Sequence, residues 1–197
     1  METGFFGQRL DFVSLGCNGL NGRADFRNQD SIGDRWEKHG VEVKPWKHDG
    51  DYILICGQIQ GDAAVQGLDL KSEYRIIAEY LADVTSRPLL FRPHPMSGGA
   101  STPKGIDVST GLLADDLAGA RTVVTLNSNS GVDAVLNGVQ TITLNNGAMC
   151  REVSGHNLNA VEDNNKFDRT QWLDNLAYCQ WTHDEIESGE AWDQLND

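Results

Sequence analysis

Three short polar stretches carry the side chains able to do chemistry, and each follows an apolar run. The first, GQIQGD at 57–62, comes after YILIC and holds an amide and a carboxylate, Gln58 and Asp62. That carboxylate can cap its own loop, bind a metal, or act on a substrate as base or nucleophile. No D-x-D pair or histidine cluster stands near it, which weighs against the metal. The second, RPHP at 92–95, follows PLLF; its two prolines stiffen the chain around a permanent cation, Arg92, and an imidazole, His94. A lone histidine is usually structural, but this one is rigidly presented beside an arginine and a glycine-rich loop. The third, NSNSG at 127–131, follows TVVTL and sets Asn127, Ser128, Asn129 and Ser130 before Gly131. At a strand-to-helix turn, free backbone N–H groups and hydroxyls suit an anion such as a phosphate. Serine and asparagine are equally ordinary N-cap residues, so cradle and cap both stand on this stretch alone. Asp133, in the first helical turn, complements the helix dipole or reaches a ribose hydroxyl. With a phosphate held across the crevice, the Asp62 carboxylate would meet the group attached to it.

The elements that must position these loops alternate between strand and helix. Strands are expected at 52–56, 88–91, 122–126 and 140–144, with helices at 70–81, 111–118 and 131–137 and a Gly/Ser/Thr-rich loop at 96–110. Continuous apolar strands separated by helices imply an α/β fold, a Rossmann-like parallel sheet with flanking helices and right-handed crossovers. In such a sheet ligands bind beyond the carboxyl ends of the strands, near the point where strand order reverses. All three polar loops fall at that edge. Residues 1–50 are irregular, with a strand expected near 11–16 and a helix around 30–39 that Ser31 would cap. Residues 166–197 are expected to be helices packing on the same domain as the sheet, which spans 51–165, with Trp172, Leu173, Leu176, Tyr178 and Cys179 as packing groups that clasp it.

Composition narrows the class. The chain has 197 residues, 39% hydrophobic and 23% charged, and no apolar run reaches the roughly 20 residues of a bilayer span. Its start, METGFFGQRLDF, lacks a basic region followed by an apolar core, so the cytoplasm is the expected location. Cys17, Cys56, Cys150 and Cys179 are far apart and form no C-x-x-C pair, which argues against structural zinc and against a disulfide framework. A formal charge of −13 repels polyanions, so a nucleic-acid partner would need a local basic patch. The densest basic clusters, Arg23–Arg27 and Lys44–Lys47, are modest.

Taken in order, G-Q-x-x-x-D, (R/K)-P-H-P and N-S-x-x-G-x-(D/E)-A-x-x-x-G over residues 51–147 resemble the bacterial capsule polysaccharide synthesis family, which includes retaining β-Kdo glycosyltransferases. The resemblance implies one half of a GT-B glycosyltransferase, binding a nucleotide-sugar donor (CMP-Kdo-like or a UDP-sugar) without a cofactor or an essential metal. It implies Asp62 as nucleophile, with His94 and Gln58 as its catalytic companions. Arg92, Asn127, Ser128, Asn129, Ser130 and Gly131 would hold the donor phosphate and Asp133 the ribose. Gly61 stands where the family often has a second acid, and Asp133 replaces a glutamate. Only about 50 residues precede the first matching strand, where a GT-B enzyme has an acceptor-binding half. The resemblance therefore implies a reduced acceptor site, or one completed in a homo-oligomer. The compact size suits a phage or metagenomic relative. A glycan or small-molecule acceptor ranks ahead of a hydroxymethylated DNA base because of the acidity. The alternatives are a non-catalytic nucleotide-sugar-binding module and an epimerase acting on the donor alone.

Overall fold

The computed structural model describes residues 2–196, which divide into two units, 2–42 with 167–196, and 43–166. In chain order the elements are β1 (Glu2–Thr3), β2 (Phe12–Ser14), α1 (Asp34–His39), β3 (Tyr52–Cys56), α2 (Leu70–Val84), β4 (Leu89–Arg92), β5 (Asp107–Val108), α3 (Leu113–Gly119), β6 (Ala120–Thr125), α4 (Ser130–Leu136), β7 (Gln140–Thr143), α5 (Thr170–Ala177), β8 (Gln180–Thr182), α6 (His183–Glu187) and α7 (Glu190–Asn196).

Residues 43–166 form the expected α/β unit, a five-stranded parallel sheet in the order β5-β4-β3-β6-β7. Its central strands are apolar without alternation because both faces are covered. Ile53, Ile55, Phe91 and Val124 point to one side, where they pack with Leu70, Tyr74, Ile77 and Leu81 of α2. Leu54, Cys56 and Val123 point to the other, against Leu117 of α3 and Ala134 of α4. The 70-74-77-81 spacing of α2 is the stripe that a helix lays on a sheet. The helix runs to Val84, three residues past its expected end. β5 adds two residues of strand inside the expected loop.

Tyr74 is fully buried in that layer, 5.2 Å from the Phe91 ring, and its hydroxyl faces the Gln58 backbone N–H without a well-aligned hydrogen bond among the described residues. A desolvated, unpaired hydroxyl costs stability, whereas its ring contributes packing. Tyr74→Phe is accordingly expected to keep or raise the urea midpoint. Tyr74→Ala should cost about 3–5 kcal/mol, as truncating a buried aromatic does. A clear loss of stability in the phenylalanine variant would mean that the hydroxyl is bonded.

Residues 43–50, expected with the N-terminal segment, belong with residue 51 to the sheet unit. Their backbone is strapped to it by Lys44 N to Leu136 O, Lys47 N to Gly138 O and Asp51 N to Gly119 O, each 2.8 Å. Gly138 is obligatory under this strap: its φ is +71°, and a Cβ there would lie 2.0 Å from the Pro45 carbonyl oxygen.

The C-terminal helices, expected with the sheet domain, form a unit with residues 2–42. One cause is strand pairing: β8 joins β2, which joins β1, in an antiparallel sheet. At three residues, β8 is too short to give a periodic signal. The other is Arg35 of α1, which is 5% exposed, lies 3.9 Å over the Trp181 ring, and donates to Glu185 at 2.9 and 3.2 Å and to the Ala177 and Gln180 carbonyls. Helix α1 starts at Asp34 rather than near residue 30. The Ser31 hydroxyl donates to Asn28 O at 2.8 Å, and Gly33 sits at the N-cap with no side-chain cap.

Candidate active site

From β3 the chain crosses to β4 on one side and later returns to β6 on the other, so strand order reverses between β3 and β6. The crevice beyond their carboxyl ends is where open α/β sheets bind ligands. Gln58 and Asn127 stand just past these two strands and clasp each other across the reversal. The Gln58 amide donates to Asn127 Oδ1 at 2.6 Å, and Asn127 N donates to Gln58 Oε1 at 3.2 Å. Both are buried, 7% and 2% exposed. Asn127 Nδ2 reaches Ala64 O at 2.8 Å and Asn145 Oδ1 at 3.4 Å, while Gly57 N donates to Arg92 O at 2.8 Å. These bonds link the loops that follow β3, β6 and β7 and hold the first of them to the end of β4. With both of its amide heavy atoms bonded to Asn127, Gln58 ties the two loops together.

Asp62 is exposed at the start of a 3-10 turn, Ala63–Val65, and its Oδ1 accepts from Ala64 N at 2.8 Å. Asp62 is thus the cap that its position allowed. The capped turn is pinned through the Ala64 carbonyl to Asn127. Its Oδ2 makes no hydrogen bond or ion pair among the described residues.

His94 Nδ1 accepts from Met96 N at 3.2 Å, which puts the proton of the neutral ring on Nε2 and makes that nitrogen a donor. Arg92 is committed elsewhere. Its Nη1 donates to Asp116 Oδ2 at 2.6 Å, Gly111 O at 2.9 Å and Ser109 Oγ at 3.3 Å. Ser109 Oγ donates to the same Asp116 oxygen at 2.5 Å. Arg92 is therefore turned toward α3, and a phosphate could draw only on its remaining nitrogens. Asp116 and Ser109 were not legible as its partners, since nothing in their local sequence marks them.

In the third loop Ser128 N donates to Thr125 Oγ1 at 3.1 Å, Ser128 Oγ to Ser130 Oγ at 3.1 Å, and Ser130 N to Ser128 Oγ at 3.2 Å. Asn129 occupies the N-cap of α4 without a side-chain cap bond, and Asp133 lies half-buried in its first turn. Gly131 admits no side chain, because a Cβ would fall 2.7 Å from Cys150 Sγ. Burial pushes the Cys56 thiol up to about 12 against a bond from Ser130, and burial likewise raises Cys150 to about 12. Both are packing groups, since the thiolate is the reactive form. Among the described residues no three His, Cys, Asp or Glu side chains gather as a metal site.

Asn127→Ala would strand the Gln58 amide and the Ala64 carbonyl, at about 1–3 kcal/mol for each buried group left unpaired. Urea unfolding of the Gln58→Ala, Asn127→Ala and double variants should give costs that do not add, with a coupling of roughly 0.5–3 kcal/mol. Additive costs would deny the clasp.

No family model matches the chain, and no curated protein does. Among solved structures it is similar to a KpsC beta Kdo 2,7 transferase of Thermosulfurimonas dismutans, with 14% identity and a TM-score of 0.59 over 100% of this chain and 77% of that one. It is also similar to a KpsC beta Kdo 2,4 transferase of the same organism, with 9% identity and a TM-score of 0.60 over 90% of this chain and 72% of that one. The S. aureus MnaA-UDP co-structure aligns at a TM-score of 0.39, with 11% identity over 82% of this chain and 52% of that one. At these identities the likeness is one of fold. The parallel sheet with flanking helices, expected from the sequence, is shared with the two Kdo transferases. No helix among the described residues is long and apolar enough to cross a membrane.

Proposed function

We propose that the chain is a retaining, metal-independent glycosyltransferase whose donor, a nucleotide-activated sugar, lies across the carboxyl ends of β3, β4 and β6. The observation that carries this reading is the Gln58–Asn127–Ala64 brace, which ties the Asp62 turn to the serine turn at the reversal of strand order. The donor phosphate would lie against the Ser128 and Ser130 hydroxyls and the His94 Nε2–H, with Asp133 toward the ribose. Asp62 Oδ2 then forms a bond to the anomeric carbon as the bond to the phosphate oxygen breaks, and the electron pair leaves on the phosphate. Donors aimed at that oxygen lower the barrier where charge develops. An acceptor hydroxyl then attacks from the opposite face and frees the carboxylate, giving net retention, while its proton passes to the departing phosphate. The acceptor best suited to a chain of charge −13 is a glycan or small molecule rather than DNA.

Incubation with CMP-Kdo or UDP-sugars followed by intact-mass and peptide analysis tests the reading. A sugar adduct on Asp62 is expected, and turnover with no adduct on any carboxylate would overturn the covalent step. One observation favours a second reading, a nucleotide-sugar-binding module without turnover: Asp62 already serves as a turn cap. Calorimetric heat on mixing with donor, with neither transfer nor hydrolysis, would distinguish it.

A further inference from the structure

On the outward side of α2 lies a second cavity that shares no residue with the braced loops. It measures about 640 Å³, within the roughly 300–1,000 Å³ usual for small-molecule sites. Lys71, Arg75, Ala78 and Ala82 form one wall, Leu89 lies at its base, and the segment 102–106 closes the other side. Those α2 positions recur at helical spacing, so they share a stripe, and the two alanines keep it shallow enough to leave the space open. From Lys71 to Ala82 the helix rises about 16 Å, which makes the cavity an elongated trough.

Its chemistry is polarised. Ala78, Ala82, Leu89, Pro103 and Ile106 line it with apolar surface. Cations stand on both walls, Lys71 and Arg75 on the helix and Lys104 opposite. The single lining carboxylate, Glu79, is taken up by Arg75 at 2.8 Å. Three cations against one paired carboxylate leave the lining locally positive in a chain of formal charge −13. Such a local field against the net charge is what selects an anion. On the helix wall the cations lie toward the start of α2 and the alanines toward its end, so a ligand with a charged head and an extended apolar body meets both.

The geometry points to a binding site, independent of the proposed sugar chemistry, for a single-chain anionic amphiphile whose head pairs with Lys71, Arg75 and Lys104 and whose chain lies over Ala78, Ala82 and Leu89. The probes are dodecanoate, dodecyl phosphate and dodecyltrimethylammonium, each titrated calorimetrically into the full chain below its micellar concentration. At least one anion is expected to bind saturably at one per chain, and the cation at least about tenfold more weakly. A preference between carboxylate and phosphate heads would then identify the source of the ligand. Ala82→Trp, on an exposed position, should fill the trough and abolish anion binding. Lys104→Glu, on the exposed segment, should weaken it at least about tenfold. Absence of saturable binding by both anions, equal binding of the cation, or unchanged binding in both variants would overturn the site.

Discussion

Asp62→Asn is expected to lower sugar transfer roughly 10³-fold or more while leaving nucleotide affinity within about threefold. Asparagine retains the oxygen that accepts from Ala64 N, so the turn cap survives and the fold is unchanged. Only the nucleophilic lone pair is lost, because an amide does not open a glycosyl phosphate at a useful rate. Asp62→Ala separates the two roles: it should lose transfer equally and also cost about 1 kcal/mol of stability through the missing cap. The comparison is made by steady-state turnover beside calorimetry with the nucleotide alone. Wild-type turnover in the asparagine variant would remove Asp62 from the chemistry.

Arg35→Ala is expected to destabilise residues 2–42 and 167–196 by about 3 kcal/mol, because it leaves the buried Glu185 with only the exposed Lys38 ammonium at 3.3 Å and the Thr182 donors, and uncovers Trp181. Arg35→Met should cost less in packing, since its chain can still cover Trp181, but it leaves the same carboxylate with Lys38 as its cation. Glu185→Gln combined with Arg35→Met should recover much of the loss, and urea unfolding of the three variants checks the order. The same pair gives the unit its acid limb. Burial pushes the Glu185 carboxyl up, but the Arg35 guanidinium and the Thr182 backbone N–H outweigh it and hold the group at about 2. A depressed carboxyl contributes stability above its unfolded value of 4.5 and loses it as pH falls toward 2. His39 acts earlier in the titration. Its ring lies 4.9 Å from Phe6 and 5.1 Å from Phe12. Burial there, followed by the charges of Arg35 and Lys38, lowers its pKa against the pull of Glu185. A lowered histidine favours the unfolded chain once that chain protonates, so stability should begin to fall as pH drops below 6.5. His39→Phe should remove this first decline and leave the second.

What was legible in the sequence was whatever local periodicity encodes. YILIC and TVVTL read as strands because both faces of the sheet are covered, and α2 read as a helix because Tyr74, Ile77 and Leu81 share a stripe. The three polar loops were found because each directly follows an apolar run, YILIC, PLLF or TVVTL. Long-range pairing was not legible. Gln58 and Asn127 are 69 residues apart, and only the reversal of strand order makes them neighbours. That Arg92 pairs with Asp116 was not legible either, because Asp116 comes from a helix 24 positions on. The C-terminal segment was assigned to the sheet because nothing in QWT announces a strand, nor does DRWEKH announce that its arginine is buried. Nothing in the sequence marks Ala78 and Ala82, whose small size opens the trough.

Backbone amide NMR of the full chain, titrated with CMP and UDP, asks where a nucleotide goes. Shifts concentrated in residues 57–64, 94–97 and 127–131 are the predicted result, because the brace puts those loops around one crevice. Shifts confined to α2 and the 102–106 segment, or none up to about 1 mM nucleotide, a concentration at which even a weak site of that Kd is half filled, would contradict it.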